Sequence, residues 1–244
     1  MNKGIFTVIS NEQLIPGVHR LRLRGDTSGV TAPGQFADVL IPGCFLRRPF
    51  SVCGAEDGVL TLCVRNSGRG TALLTASAPG TELDILTGLG NGFDLADAGE
   101  RPLLLGGGTG FPPLHPLCAA LLALGAHPMA VLGCPSAGSA PYLDEFRALG
   151  VEPLVYTLDG SLGETGLPTQ ALHSLDYTSV YACGPLPMLS AIDRESESPH
   201  VQLSLEARMG CGFGACMGCT VQTISGPRRV CKNGPVFRKG EIIW

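Results

Sequence analysis

Lysine is scarce in this 244-residue chain, present only as Lys3, Lys232 and Lys239. Charged residues of every kind reach 16% and the formal net charge is −4, so no broad cationic face exists for sequence-independent phosphate binding. Nucleic acid is therefore not an expected ligand. Long hydrophobic runs are missing too. The longest, Leu117 to Leu124 and resuming at Met129, is broken by Gly125, His127 and Pro128, well short of the roughly 20 residues that cross a bilayer. The opening stretch MNKGIFTVIS is too short and interrupted for a signal peptide and lacks a small-residue cleavage site. The expectation is a cytoplasmic chain without a membrane span. Histidine is sparse and dispersed (His19, His115, His127, His173, His200), and no acid, base or nucleophile constellation for a carbon substrate is recognisable. Tryptophan occurs once, at Trp244, and reads as part of an exposed tail.

Apolar residues, at 44%, exclude disorder, and the 34 glycines and 19 prolines follow no collagen period. The length is about twice the commonest domain size, so two compact units are expected. Cysteine is the residue in excess. Ten of them in a reducing compartment point to metal or redox duty rather than disulfides. Cys44, Cys53, Cys63, Cys118, Cys134 and Cys183 are scattered among apolar or strand-like residues and read as packing. Cys211, Cys216, Cys219 and Cys231 crowd into one short segment and read as ligands.

From Gly4 to about Leu95, short alternating segments (IFTVIS, VHRLRLRG, QFADVLI, FSVCG, LTLCVRN, ELDIL) separated by turns predict an antiparallel barrel. A helix is expected over Thr71 to Ala78. After DLADAGER, strands (PLLLGG, MAVLGC, PLVYTL, SVYACG) alternate with helical stretches, the pattern of a covered parallel sheet. The expected fold is thus β plus α/β: a barrel over residues 1–97, a parallel-sheet nucleotide-binding domain over 98–200, and a small C-terminal cluster segment over 201–244.

The spacing CxxxxCxxC at Cys211, Cys216 and Cys219, with Cys231 following, matches the plant-type [2Fe-2S] pattern. Gly210, Gly212, Gly214, Ala215 and Gly218 let the loop turn its amides toward sulfur. A structural zinc site, which prefers paired CxxC knuckles, and a group of free thiols are the competing readings. Upstream, Arg48-Pro49-Phe50-Ser51 begins a barrel strand, and Gly68-Arg69-Gly70-Thr71 opens a helix whose amides form a pyrophosphate seat. Together they are a candidate flavin dinucleotide site, against the plainer reading of a surface arginine and a capped helix.

Gly106-Gly107-Gly108-Thr109-Gly110, between a buried strand and a proline-started helix, is a candidate nicotinamide dinucleotide loop, with phosphates meeting the following helix. Cys183-Gly184-Pro185 ends a later strand at the same sheet edge, with Cys183 equally readable as an inert buried thiol. Between Gly133 and Phe146 there is no basic residue, whereas Asp144 and Glu145 are present, which favours NADH over NADPH. Nicotinamide carries electrons in pairs and an iron–sulfur centre takes them singly, so a chain with both calls for a flavin between them.

The motifs RPFS at Arg48 to Ser51, Gly70-Thr71 before a helix, GGGTG at Gly106 to Gly110, CGP at Cys183 to Pro185, and SLEARMGCGFGACMGC running into VCKNGPVF together resemble the electron-transfer subunits of type B dihydroorotate dehydrogenases, in the ferredoxin-reductase superfamily. The resemblance implies FAD on the barrel, with Arg48, Pro49, Phe50 and Ser51 around the flavin, Cys63, Val64 and Arg65 on the next strand, and Gly70 and Thr71 at the pyrophosphate. It implies NAD on the α/β domain and a [2Fe-2S] cluster held by Cys211, Cys216, Cys219 and Cys231. It further implies pyrimidine (UMP) biosynthesis, with an FMN-containing catalytic partner subunit that oxidises dihydroorotate, and a heterotetramer of two of each. Phe50 stands where the superfamily often has tyrosine, and the Cys219 to Cys231 spacing is short for the family. Two other functions compete: a self-sufficient NAD(P)H reductase for ferredoxin, including the small subunit of a bifurcating transhydrogenase, and a zinc-bound redox-sensing module.

Overall fold

In the first quarter of the chain, residues of opposite character alternate with period two, so each strand has one face for a core and one for water. The computed structural model describes all of residues 1–244. Strands β1 (Asn2–Ile15), β2 (Val18–Arg24), β3 (Phe36–Leu40), β4 (Arg48–Glu56) and β5 (Val59–Arg65) precede helix α1 (Arg69–Thr75) and strand β6 (Glu82–Leu89). They close an antiparallel barrel in the order β1-β2-β5-β4-β3-β6. Along β2, Leu21 and Leu23 are buried while Arg22 and Arg24 are exposed. Their inward partners, among them Phe6, Val39, Leu62 and Ile85, fill the barrel interior. Helix α1 starts two residues before the expected Thr71. The Thr71 hydroxyl reaches back to accept the backbone N–H of Ser67 and Gly68, which fixes the first turn there.

The second unit consists of β7 (Pro102–Gly107), α2 (Leu114–Ala123), β8 (Met129–Cys134), α3 (Leu143–Ala148), β9 (Leu154–Thr157), β10 (Glu164–Thr165), α4 (Ala171–Ser174), β11 (Ser179–Cys183), α5 (Leu186–Glu195) and β12 (Val201–Ser204). The C-terminal residues add a hairpin, β13 (Thr220–Thr223) and β14 (Gly226–Arg229), then α6 (Val230–Asn233) and β15 (Val236–Arg238). One seven-stranded sheet runs β10-β9-β8-β7-β11-β12-β15, parallel except for the β12–β15 pair. The boundary expected at residue 200 therefore cuts through this sheet. Val201 to Ser204 pair with β11, and β15 returns from the cysteine segment to pair with β12, so both belong to the sheet.

The cysteine segment is likewise not an appended tail. Cys219, Val230 and Cys231 are buried in the same core as Phe36 and Leu89 of the barrel and Leu203 of the sheet. Asn91, just after the barrel, donates its side-chain amide to the Val236 carbonyl at 2.8 Å and accepts the Val236 N–H at 3.1 Å, tying the returning strand to the barrel. On the other side Arg20 of β2 meets Glu145 of α3 at 2.5 Å. Trp244 is not a free tail either: its indole N–H donates to Asp193 at 2.7 Å. No helix is long and apolar enough to cross a membrane.

Candidate functional site

Two cavities open between barrel and sheet. The first, about 410 Å³, lies against the outer wall of β4 and β5 and is lined by Arg48, Pro49, Phe50, Ser51, Cys63, Arg65 and Thr71. Strand alternation decides which neighbours face it. Cys63 and Arg65 point outward, while Val64 between them is fully buried in the barrel interior, so its side chain does not line the cavity. Gly70 is packed beneath: a methyl group added there would lie 3.3 Å from Arg48 Nε and 3.4 Å from Cys44 Sγ. That contact brings the Arg48 guanidinium to the first turn of α1, where backbone amides lack helical partners, an arrangement suited to a pyrophosphate. Burial pushes the Cys63 thiol up to about 12, so it stays neutral.

The second cavity, about 560 Å³, lies at the carboxyl edge of the sheet and is lined by Gly107, Gly108, Thr109, Gly184 and Pro185, together with residues of α5 and the loops after β8 and β9. Gly106, Gly110 and Cys183 are not at its surface. A methyl group on Gly106 would meet Phe111 Cα at 2.6 Å, and one on Gly110 would meet the Cys183 carbonyl oxygen at 2.3 Å. These glycines are therefore close-packing positions beneath the loop. Cys183 is 1% exposed and burial pushes it up to about 12, the inert-thiol reading.

The helix that opens on this cavity is α5, capped at Pro185 and contributing Pro187, Met188 and Ala191, rather than the expected α2. A 3₁₀ turn, Gly108–Gly110, separates β7 from α2 and diverts the chain, and Pro113 ahead of α2 faces the first cavity. Asp144 and Glu145 do not line this cavity. Glu145 pairs with Arg20 and Asp144 with Arg147, both away from the cavity. Its charged lining residues are Arg65 and Glu206, and its far end is formed by Pro135, Leu158, Leu167 and Pro168 with no cation.

Arg65, Thr109 and Glu206 line both cavities, which therefore meet at these three side chains. Glu206 lies within the SLEARMGC stretch, but the sequence alone assigns it no role. That motif and its place directly after the last parallel strand at the sheet edge are the signals that point to it. Its side chain stays exposed, and partial desolvation by the surrounding cavity walls raises its carboxyl above the usual 4.5. Leu205 and Ser204 of the same stretch, and Pro235 before β15, complete the floor of the first cavity.

The four cysteines are arranged as two pairs. Cys211 Sγ accepts the backbone N–H groups of Ala215 at 3.2 Å and Cys216 at 3.4 Å. Cys219 Sγ accepts the N–H of Cys231 at 3.4 Å. The loop achieves this through left-handed residues: Gly212 at φ 75° and Gly214 at φ 95°. Desolvation opposes ionisation of Cys211, but the N–H groups of Cys216, Phe213 and Ala215 and the Cys216 thiol outweigh it and bring Cys211 down to about 6. Burial and Cys219 push Cys231 upward. No three His, Cys, Asp or Glu side chains close around a single point. Two thiol pairs with amides aimed at sulfur are a donor set that fits two irons bridged by sulfide better than one tetrahedral zinc.

A family model described as the iron–sulfur cluster binding domain of dihydroorotate dehydrogenase B matches residues 206–243. Over 250 residues the chain is 40% identical to the dihydroorotate dehydrogenase B (NAD(+)) electron transfer subunit of Geobacillus thermodenitrificans (strain NG80-2), with 97% of both chains covered. It is 38% identical over 255 residues to the subunit of that name from Shouchella clausii (strain KSM-K16), covering 99% of this chain and 98% of that one. Among solved structures, an NADH-dependent reduced ferredoxin-NADP oxidoreductase described for flavin-based electron bifurcation superimposes with a TM-score of 0.88 at 28% identity, over 98% of this chain and 90% of that one. The ferredoxin reductase of carbazole 1,9a-dioxygenase shares the fold alone, with a TM-score of 0.70 at 21% identity over 82% and 68% of the two chains.

Proposed function

The chain belongs to the family of dihydroorotate dehydrogenase B electron transfer subunits, and from that premise we propose that it relays electrons between NAD and a partner FMN subunit that oxidises dihydroorotate, in pyrimidine biosynthesis. The observation that carries this reading is the meeting of the two cavities at Arg65, Thr109 and Glu206, with the cysteine pairs packed on the same barrel. When bound, FAD would exchange electron pairs with NAD and single electrons with a [2Fe-2S] cluster, which is the conversion such a relay needs.

The residues divide the task. Arg48 with the first turn of α1 would hold the flavin pyrophosphate, while Phe50, Ser51 and Cys63 would bound the ring and keep water from it. Gly107 to Thr109, Gly184 and the start of α5 would hold NAD. Thr109, Arg65 and Glu206 would contact both cofactors where the two cavities meet. The pairs Cys211/Cys216 and Cys219/Cys231 would each hold one iron. The cation-free far end of the second cavity supports NAD over NADP.

The organisation we propose is a flavin unit over 1–97 and a nucleotide unit from residue 98 that takes in β12 and β15. The cysteine loop and hairpin are set between those two strands. Two of these chains with two FMN subunits would form a heterotetramer. Alone, the chain would oxidise NADH with artificial dyes. Ten free thiols suit the reducing cytoplasm.

Co-expression with the FMN subunit tests the function: dihydroorotate should reduce NAD in the purified complex and in neither protein alone. The 0.88 TM-score carries a second reading, a small subunit of a transhydrogenase. Ferredoxin-linked NADPH turnover, without dihydroorotate activity, would select it instead.

A further inference from the structure

Among the groups that the relay does not use, Asp38 is the one left without a partner. It sits on β3, where Ala37 and Val39 face the barrel core and Asp38 faces outward. It is not exposed there, since only 1% of it is accessible. Its Oδ1 has no hydrogen-bond partner, an exception that a buried ionisable group rarely shows. The neighbouring cations Arg47 and Arg48 attract the carboxylate through space, but their hydrogen bonds go to other acceptors. Arg47 donates to Asp84 Oδ1 at 2.7 Å and to the Asp38 and Asp84 backbone carbonyls, and Arg48 donates to the carbonyls of Leu46 and Arg47. What covers the carboxyl is the cysteine loop itself. A methyl group added at Gly212 would lie 2.3 Å from Asp38 Oδ2, so that glycine's backbone rests directly on the carboxylate.

We propose that Asp38 is an electrostatic tuning residue for the cluster, its buried negative charge behind Gly212, held by no hydrogen bond at Oδ1, making the cluster harder to reduce. Net charge and hydrogen bonds to sulfur are among the main levers on iron–sulfur potentials. Here they act in opposition: the amides of Ala215 and Cys216 on Cys211 Sγ favour the reduced form, and the Asp38 carboxylate disfavours it. A charge at this remove from water is weakly screened, which gives a single side chain leverage on a one-electron equilibrium. Gly212 is what allows the approach, since any side chain there would push the loop off the carboxylate.

The inference rests on the reading of the four cysteines as cluster ligands, and the same experiment separates the two. The chain is purified without oxygen, loaded with FAD and cluster. It is titrated potentiometrically at pH 8, with the cluster followed by electron paramagnetic resonance and the flavin by absorbance. Asp38→Asn, equal in shape, should make the cluster about tenfold easier to reduce, a rise of ~59 mV for one electron, with the flavin midpoint unmoved. Asp38→Ala should shift the cluster midpoint in the same direction. An unchanged cluster midpoint, an equal rise in both midpoints, or variants that keep flavin but lose the cluster would overturn the tuning role. A wild-type chain with no iron–sulfur signal would instead fail the ligand reading on which it rests.

Discussion

Arg65, at the end of barrel strand β5, and Glu206, just beyond sheet strand β12, each line both cavities, at the place where the two cavities meet. One comes from each unit, so the relative placement of barrel and sheet is written into this pair. A flavin ring against the barrel and a nicotinamide at the sheet edge would come together between them.

Glu206→Gln should leave the flavin and cluster spectra intact and slow flavin reduction by NADH by about tenfold, a loss typical of imperfect alignment of reacting groups. Stopped-flow mixing with NADH measures it. The surrounding cavity walls raise the Glu206 carboxyl, so the folded chain binds this proton more tightly than the unfolded chain, by a margin that solvent keeps small because the side chain stays exposed. Its contribution to stability is complete below the ordinary value of 4.5 and is lost as pH rises through the folded value. The glutamine variant should accordingly show a flatter fall in melting temperature over that window.

Cys216 is exposed, so replacing it with serine should remove a ligand without disturbing the core. The expected outcome is loss of the cluster's visible and paramagnetic signals, with FAD retained and NADH-dependent dye reduction preserved. Iron and sulfide analysis of the purified variant checks the first part, and a dye assay the second.

Gly110→Ala distinguishes a packing glycine from a ligand-binding one. The added methyl would collide with the Cys183 carbonyl. Overpacking of that kind should destabilise the chain by about 1–3 kcal/mol, visible in denaturant melts with no nucleotide present. A normal melt combined with weak NAD binding would place Gly110 at the nucleotide instead.

Leu158, 60% exposed, stands at the cation-free end of the second cavity. Leu158→Arg should offer a charge-assisted hydrogen bond to a 2′-phosphate and raise the NADPH-to-NADH preference about tenfold. Steady-state kinetics with the two nucleotides reads the ratio directly.

The barrel was legible because Leu21, Leu23, Arg22 and Arg24 alternate, and the cysteine element because its spacing has few other uses. Positions that depend on which way a strand or loop faces were less so. Val64 lies between two cavity residues and points inward, a matter of strand phase that a motif does not carry. Gly106 and Gly110 share a motif with Gly107 and Gly108, yet only close approach to Phe111 and Cys183 reveals them as packing positions. Asp144 and Glu145 follow β8 in sequence, but α3 turns Glu145 toward the barrel. Strand β15 is three residues long and pairs antiparallel with β12, a non-local contact that local pattern does not encode. Glu206 gains its place only when the sheet edge is assembled beside the barrel.

Electrons entering at the second cavity should reach the four cysteines through the first. Anaerobic addition of NADH to the cofactor-loaded chain, followed simultaneously by flavin absorbance and low-temperature paramagnetic resonance, tests this route most directly. Bleaching of the flavin together with the appearance of a reduced iron–sulfur signal is the predicted result. A flavin that bleaches while the metal centre stays silent at every NADH level, or a sample holding stoichiometric zinc in place of iron, would contradict it.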